Sequence, residues 1–384
     1  MEGPPHEHGQ QYGEAARNRV RRSIDAYREV FDHYTGWNWE RVRREAARFR
    51  APIEGYDRRY FDEMTGIAEG AGVDDVDVLA INVRTEIMFA ATARQAAAET
   101  GPDADAVGRL PSECSAFAVL PMRTDSGRIL VGQNWDWLPH SAETTVVLEV
   151  RQADRPDFVT VVEAGLLAKF GLNSSGVALL TNALVTGADT GEAGVPFHVL
   201  LRAILDSETI SDALGALGRA RRASSANYLI AHEDGIAIDV EAAPGDASAL
   251  YLGYPDNGVL LHTNHFVNGF DGRELSILAM PDSPIRLERL RQLFAERAGP
   301  VDVSFLEAVL ADHVTYPLGV CCHPDPRLPE PEQSLTLAAA VVDVRRRTLW
   351  LASGNPCETA FEELDYSGFL AKPSLLRGSV AGPA

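Results

Sequence analysis

The sequence is poor in cysteine and poor in positive charge. Its four cysteines, at 114, 321, 322 and 357, are too few for a disulfide-stapled scaffold and fit a reducing compartment. Thirty-five basic side chains against 55 acidic ones leave a formal charge of −20. Phosphate backbones are bound by basic surfaces, so no nucleic-acid partner is expected. The two arginine clusters, Arg219/Arg221/Arg222 and Arg345/Arg346/Arg347, read as solvated helix-end and turn charges. No apolar run is long enough to cross a bilayer. The opening MEGPPHEHGQQYGE lacks the basic-then-apolar order of a signal peptide. Together these absences predict a cytoplasmic protein with no membrane partner. Glycine loops of phosphate-binding spacing are also missing, and GLNSSG lacks the lysine of a P-loop. No internal repeat, low-complexity tract or heptad is present.

What is present falls into two textures. The first ninety residues read as helical: RRSIDAYREVFDHY, WERVRREAARF and DVDVLAINVRTEIMFA carry apolar residues at three-to-four spacing. A helix start is expected near Asp74 or Asp75. Residues 92–113, rich in Ala, Gly, Asp and Pro and without period, read as a mobile linker. From Cys114 the chain turns to strands. Hairpins are predicted over 115–121/128–136, 144–151/157–163 and 166–172/177–184. Helices follow at 196–206 and 209–220, then strands at 226–232, 236–243, 249–254 and 259–263. Helices at 284–298 and 303–312 precede a final strand pair, SLTLAAAVVDV and TLWLASG. This order describes antiparallel sheets covered by helices, not a parallel βαβ fold. The expected organisation is a helical segment over 1–113 and a catalytic region over 114–384.

Cys114 opens the first hairpin, and the return strand closes on Asn134-Trp135-Asp136. A turn centred between Asp125 and Ser126 pairs Ser115 with Asp136 and Cys114 with Trp137. A thiol is a weak nucleophile until a base takes its proton. No histidine is placed in this hairpin; His140 lies beyond it. An α-amine, with a pKa of about 8, is an alternative base. Cys114 would acquire one if the Glu113–Cys114 bond were cut. The thiol itself could attack the Glu113 carbonyl, form a thioester and let water release the amine.

The segment CSAFAVLPMRTDSGRILVGQNWDW (114–137) resembles the start of the mature β-chain in the acyl-CoA:6-aminopenicillanic acid acyltransferase family of N-terminal-nucleophile (Ntn) hydrolases. GLNSSGVALLTNAL (171–184), RRASSANYLIAHEDG (221–235), HTNHF (262–266), SPIRLERL (283–290), ADHVTYPLGVCCHPDP (311–326) and LWLASGNPC (349–357) resemble further blocks of that family, in order. The resemblance implies a four-layer αββα sandwich of two antiparallel sheets flanked by helices. It implies self-cleavage into α and β chains, and turnover of an N-acyl amide, or transfer of an acyl group from a thioester to an amine, through a Cys114 thioester. Cys114 would be processing and catalytic nucleophile. Asp136 would bind the α-amine or substrate. Asn182 and Asn227 would form the oxyanion site, and Arg286 would hold Asp136 ionised or hold substrate. No cofactor is implied, although an acyl-CoA could serve as substrate. An oligomer remains open.

Each of these residues also has a plainer reading. Asn182 suits a strand ladder, Asn227 a cap beside Ser224-Ser225, and Arg286 a solvated helix start. Trp135, Trp137 and Phe170 suit either an acyl pocket or the core. Cys321, Cys322 and His323, with Asp312-His313 as further candidates, suggest a metal only weakly, because adjacent cysteines chelate poorly and no second Cys/His pair stands at zinc-finger spacing; no metal is expected. Glu113 stands where such families carry a small residue. That favours, as the alternative, an uncleaved and catalytically silent relative acting in binding or assembly. A third reading is a Cys–His enzyme using His140, His265 or His323.

Overall fold

The computed structural model describes residues 1–98, 110–111 and 114–371. Six helices lead: α1 (Pro5–Ala15), α2 (Arg17–Thr35), α3 (Trp39–Ala47), α4 (Arg50–Ala71), α5 (Asp75–Asn82) and α6 (Arg84–Ala98). On α2 the buried residues Val20, Ile24, Tyr27, Phe31 and Tyr34 follow the three-to-four spacing of one helix face. α6 runs through 92–98, which had been expected to begin a linker. Alanine is the strongest helix former, so Ala-richness without period extends this helix instead of ending it. The rest of that linker, 99–109 with 112–113, lies outside the described residues.

The strands come next: β1 (Ser115–Val119), β2 (Leu130–Trp137), β3 (Thr145–Val150), β4 (Phe158–Glu163), β5 (Phe170–Asn173) and β6 (Val177–Ala183). Helices α7 (Phe197–Leu205) and α8 (Ile210–Arg219) separate them from β7 (Ala226–His232), β8 (Ile236–Ala242), β9 (Leu250–Gly253) and β10 (Val259–His262). A Thr209/Asp212 capping box starts α8. The chain then forms α9 (Ser276–Ala279), α10 (Ser283–Glu296), α11 (Val303–Leu310), β11 (Leu335–Asp343), β12 (Thr348–Ala352) and β13 (Glu362–Asp365). The short α9 and the edge strand β13 were not anticipated; each is only four residues long, too short to show a period.

All pairings between these strands are antiparallel, in two sheets ordered β10-β1-β2-β11-β12-β13 and β3-β4-β5-β6-β7-β8-β9. The sheets face each other through β1 and β2 on one side and β6 and β7 on the other. α10 and α11 cover the outside of the first sheet, against β10, β2 and β11, while α7 and α8 cover the second, against β5, β6 and β7. This is the four-layer αββα sandwich that the family resemblance implied and that the strand and helix order suited.

The first hairpin differs in register from the turn arithmetic: Ser115 pairs with Asn134, not Asp136. The connection is not a tight turn. It winds through a 3₁₀ turn at Pro121–Arg123, and Thr124 bridges to Val301. The resulting shift of two residues preserves the alternation of faces, which a shift of one would invert. Asp136 pairs instead with Thr336 on β11, beside a register break between Thr336 and Ala338.

The helical segment is packed into the same apolar cluster as the sheets. Within it, α1 and α4 touch backbone to backbone through Gly9 and Gly13 on one helix and Gly66 and Gly70 on the other. A Cβ on Gly66 would lie 2.0 Å from the His6 carbonyl oxygen, and one on Gly9 would lie 2.0 Å from that of Glu63. Gly66→Ala should therefore force the helices apart and cost about 1–3 kcal/mol. Gly55→Ala, where an added Cβ meets nothing within 4 Å, should be neutral or slightly stabilising. Thermal melts of the two variants check this contrast.

Candidate active site

The geometry is built around the backbone of Cys114. This residue is fully buried and has φ +67°, in the left-handed region that side chains other than Asn and Asp seldom occupy. Two side chains donate to its carbonyl oxygen: Asn182 Nδ2 at 3.0 Å and Arg286 Nη1 at 2.9 Å. They reach it from different layers, Asn182 from β6 of the facing sheet and Arg286 from the first turns of the outer helix α10.

Each donor is itself held. Asn227 Nδ2 donates to Asn182 Oδ1 at 3.2 Å and to Asp239 Oδ1 at 2.8 Å. Asn182 and Asn227 are cross-strand partners on β6 and β7, which is why the two amides meet. Arg286 donates to Asp282 Oδ2 (2.7 Å), Asn264 Oδ1 (2.8 Å) and Ser115 Oγ (3.0 Å). Asn264 in turn donates to the Ala183 carbonyl at 3.0 Å, one residue beyond Asn182. The arginine is buried, and the nearby acids Asp282 and Asp136 outweigh that burial and hold it charged.

Asp136 is also fully buried. Burial pushes its carboxyl up to about 7, against the pull of the Arg286 charge, the Thr336 hydroxyl and the Cys114 backbone N–H. Arg286 was expected to keep this carboxylate ionised; desolvation is the larger effect. Thr336 Oγ1 donates to Asp136 Oδ1 at 2.5 Å and accepts from the Cys322 N–H at 2.9 Å. Asp239, behind Asn227, is likewise pushed up by burial, to about 6, with His262 drawing it back.

The structure thus brings together Cys114, Asp136, Asn182, Asn227 and Arg286. Asn227 stands one step removed, behind Asn182. Glu113 lies outside the described residues. Ser115, Asn264, Asp282 and Thr336 join the cluster without having been singled out. Asn264 sits in the HTNHF block, where attention to the two histidines hid it; Thr336 has no sequence signal, because the bulge that aims it is a tertiary feature. The histidines considered as bases are engaged elsewhere. His140 packs edge-on against Tyr27 beside Glu163, His265 meets Ser283 Oγ at 2.8 Å, and His323 meets His313 and two cysteines. Trp135 packs on Phe170, and Trp137 donates to Tyr27 while lying under Arg84; both belong to the core. No helix among the described residues is long and apolar enough to cross a membrane.

The chain as a whole resembles known proteins. The profile of the acyl-coenzyme A:6-aminopenicillanic acid acyl-transferase family matches residues 122–358. The acyl-coenzyme A:6-aminopenicillanic-acid-acyltransferase 40 kDa form of Emericella nidulans is 27% identical over 325 residues, covering 83% of each chain. Among solved structures, a variant of the conjugated bile acid hydrolase of Clostridium perfringens aligns with 66% of this chain and 93% of its own, at 12% identity and TM-score 0.46. The penicillin V acylase of Agrobacterium tumefaciens aligns with 67% and 88%, at 16% identity and TM-score 0.41.

The raised Asp136 carboxyl has a consequence for stability. A carboxyl whose folded pKa lies above its unfolded value gives stability that is complete below the unfolded pKa and is lost as pH rises through the folded one, here about 7. Asp136→Asn should remove that loss. Between two chains both kept uncleaved by Cys114→Ala, the melting temperature of the one carrying Asp136→Asn should gain on the other by on the order of 2–4 °C between pH 5 and pH 8, read by parallel melts across that range.

Proposed function

The chain belongs to the acyl-coenzyme A:6-aminopenicillanic acid acyl-transferase family, which makes it an enzyme of the acyltransferase and amidohydrolase type, and we propose that Cys114 is its nucleophile, first on its own chain and then on substrate. The observation that carries this reading is the convergence on the Cys114 backbone. Its φ is strained, its carbonyl is gripped by Asn182 and Arg286, and its N–H faces the Asp136 carboxyl.

In the processing step the Cys114 sulfur attacks the Glu113 carbonyl carbon. The C–N bond breaks, the nitrogen takes a proton, and Glu113 is left as a thioester on sulfur. Water then frees the Glu113 carboxylate, the thiol and a new α-amine. That amine is formed on the atom facing Asp136, where the carboxyl would ionise to pair with the ammonium. The α chain (1–113) would stay bound to the β chain (114–384). Tyr27, Arg84 and Trp137 meet the buried Glu163 region, and Tyr12 and Asn82 bond the Gly165 backbone.

In turnover the α-amine, in its neutral form, takes the thiol proton and becomes the ammonium that Asp136 pairs with, and the thiolate attacks the acyl carbonyl of an amide or thioester. The leaving group departs with the proton, and water or an amine then accepts the acyl group from sulfur. Asn182 has a second amide N–H for the oxyanion of either step. Asn227, whose amide is committed to Asn182 and Asp239, acts as a positioning residue. The substrates are small N-acyl amides, or an acyl thioester such as an acyl-CoA with an amine acceptor. No cofactor takes part in these steps.

Intact-mass measurement tests the proposal. Cys114→Ala should remain one chain of 41.6 kDa, while wild type splits between Glu113 and Cys114. A wild-type chain that stays whole and forms no thioester with acyl donors would instead favour a silent binding protein. Asn182→Ala should keep its fold and lose about a hundredfold to a thousandfold in kcat, followed with a panel of N-acyl amines.

A further inference from the structure

Outside the Cys114 cluster, four side chains converge that touch neither Cys114 nor the groups named in the steps above. His313 follows α11, Cys321 and His323 lie on the loop before β11, and Cys357 follows β12. Their ligand atoms all lie within 4.8 Å of one another. His313 Nε2 and His323 Nε2 are 3.1 Å apart. Cys321 Sγ is 3.5 Å from His323 Nε2 and 3.6 Å from Cys357 Sγ, and Cys357 Sγ is 3.4 Å from His323 Nε2.

These separations have a chemical meaning. A zinc ion bound by sulfur at about 2.3 Å and by imidazole nitrogen at about 2.0 Å sets ligand–ligand edges of about 3.3–3.8 Å in a tetrahedron. The four donors are of the right type, and the four separations above, 3.1 to 3.6 Å, lie close to those edges, with the two His313–cysteine edges within 4.8 Å. We propose that His313, Cys321, His323 and Cys357 form a tetrahedral Cys₂His₂ zinc site. Two thiols lose their protons on binding, so the ion and two thiolates make a neutral unit. All four positions are filled by protein, so the site is structural and offers no open position for substrate.

The chain is arranged for this. Cys321 and His323, two residues apart, face the cluster, while the Cys322 sulfur between them is not among the clustered ligand atoms and lies 4.0 Å from the His323 carbonyl oxygen. The adjacent-cysteine objection therefore falls away, because the second sulfur comes from Cys357. Asn355 Nδ2 donates to Cys321 Sγ at 3.4 Å and to the Cys322 carbonyl at 2.7 Å, fixing the first thiolate from behind. Backbone bonds from Cys321 N–H to Asp312 and from His323 N–H to Pro317 shape the loop, and Arg289 of α10 holds Asp312 at 2.7 Å. Cys321 is buried, whereas His313 and Cys357 are exposed, which gives the ion a way in.

The site also has a mechanical consequence. Zinc would pin three chain segments at the point where Cys322 supports Thr336, and Thr336 supports Asp136. His313, Cys321, His323 and Cys357 would thus be positioning residues for Asp136 through the metal. The zinc site itself stands whether or not Cys114 cleaves its chain.

Elemental analysis of the purified full chain, in reductant and after dialysis against metal-free buffer, should find about one zinc per chain. Cobalt(II) added to the metal-stripped chain should give the thiolate charge-transfer band and the intense d–d bands of tetrahedral coordination. Cys357→Ser and His313→Ala should weaken cobalt binding by at least about tenfold with unchanged circular dichroism, and Cys322→Ser should leave it intact. If either ligand variant misfolds, the Cys322→Ser protein and the cobalt spectrum of wild type still decide. Wild type without zinc and without a cobalt charge-transfer band overturns the proposal. So does equal cobalt binding by the Cys321→Ser/Cys357→Ser double variant, or a Cys321–Cys357 disulfide that forms in air at the same rate with zinc as without it.

Discussion

The two-point grip on the Cys114 carbonyl is the constraint around which the rest of the fold is arranged. Asn182 and Arg286 reach one oxygen from opposite sides of the first sheet, so neither works unless the layers are stacked in register. That explains the supports behind each donor. Asn227 and Asp239 hold the first; Asp282 and Asn264 hold the second. Buried polar groups of this kind are stable only when their partners are complete, because an unmet donor in a dry interior costs about 1–3 kcal/mol. The left-handed φ of Cys114 is sustained by this surplus of fixed contacts.

Asp136 shows burial and charge in competition. A guanidinium nearby would ordinarily depress a carboxyl, yet full burial raises this one to about 7. The raised carboxyl belongs to the intact chain, in which the Cys114 nitrogen beside it is an uncharged amide. On the proposed chemistry, cutting the bond would place an ammonium there and turn a costly buried carboxylate into half of an ion pair. The break in register at Thr336 is what turns a hydroxyl toward it, and the Cys322 backbone, between two of the four clustered metal-type donors, holds that hydroxyl in place.

The helical segment is tied in by the same logic of satisfied burial. Glu163 has no exposure, and Arg84, Tyr27, Ser141 and Thr144 all reach its carboxylate. Arg84 and Tyr27 come from the helical segment, so taking that segment away would strand a buried charge on β4. The close α1–α4 glycine contact stiffens the segment from within.

Most of the fold was legible in order and type. Strand-like runs marked β1 to β4 and β6 to β8 to within about two residues, β5 began four residues later than the run that predicted it, and helix-like runs marked α2, α3, α7, α8, α10 and α11. The tight spots were not. The Cys114 hairpin has a register two residues from the turn arithmetic because a 3₁₀ turn lengthens its connection. α6 continues into an Ala-rich tract that looked like linker. At the site, the sequence by itself determined which residues are available: a cysteine heading a strand, an Asp at the return, two amides on strands and an arginine opening a helix. Only the tertiary structure decided that Asn227 stands behind Asn182, that Asn264 and Thr336 belong to the cluster, and that Cys357 rather than Cys322 meets Cys321. These contacts join residues dozens to hundreds of positions apart. Their distances follow from how sheets stack and loops close, which no local pattern of residues encodes.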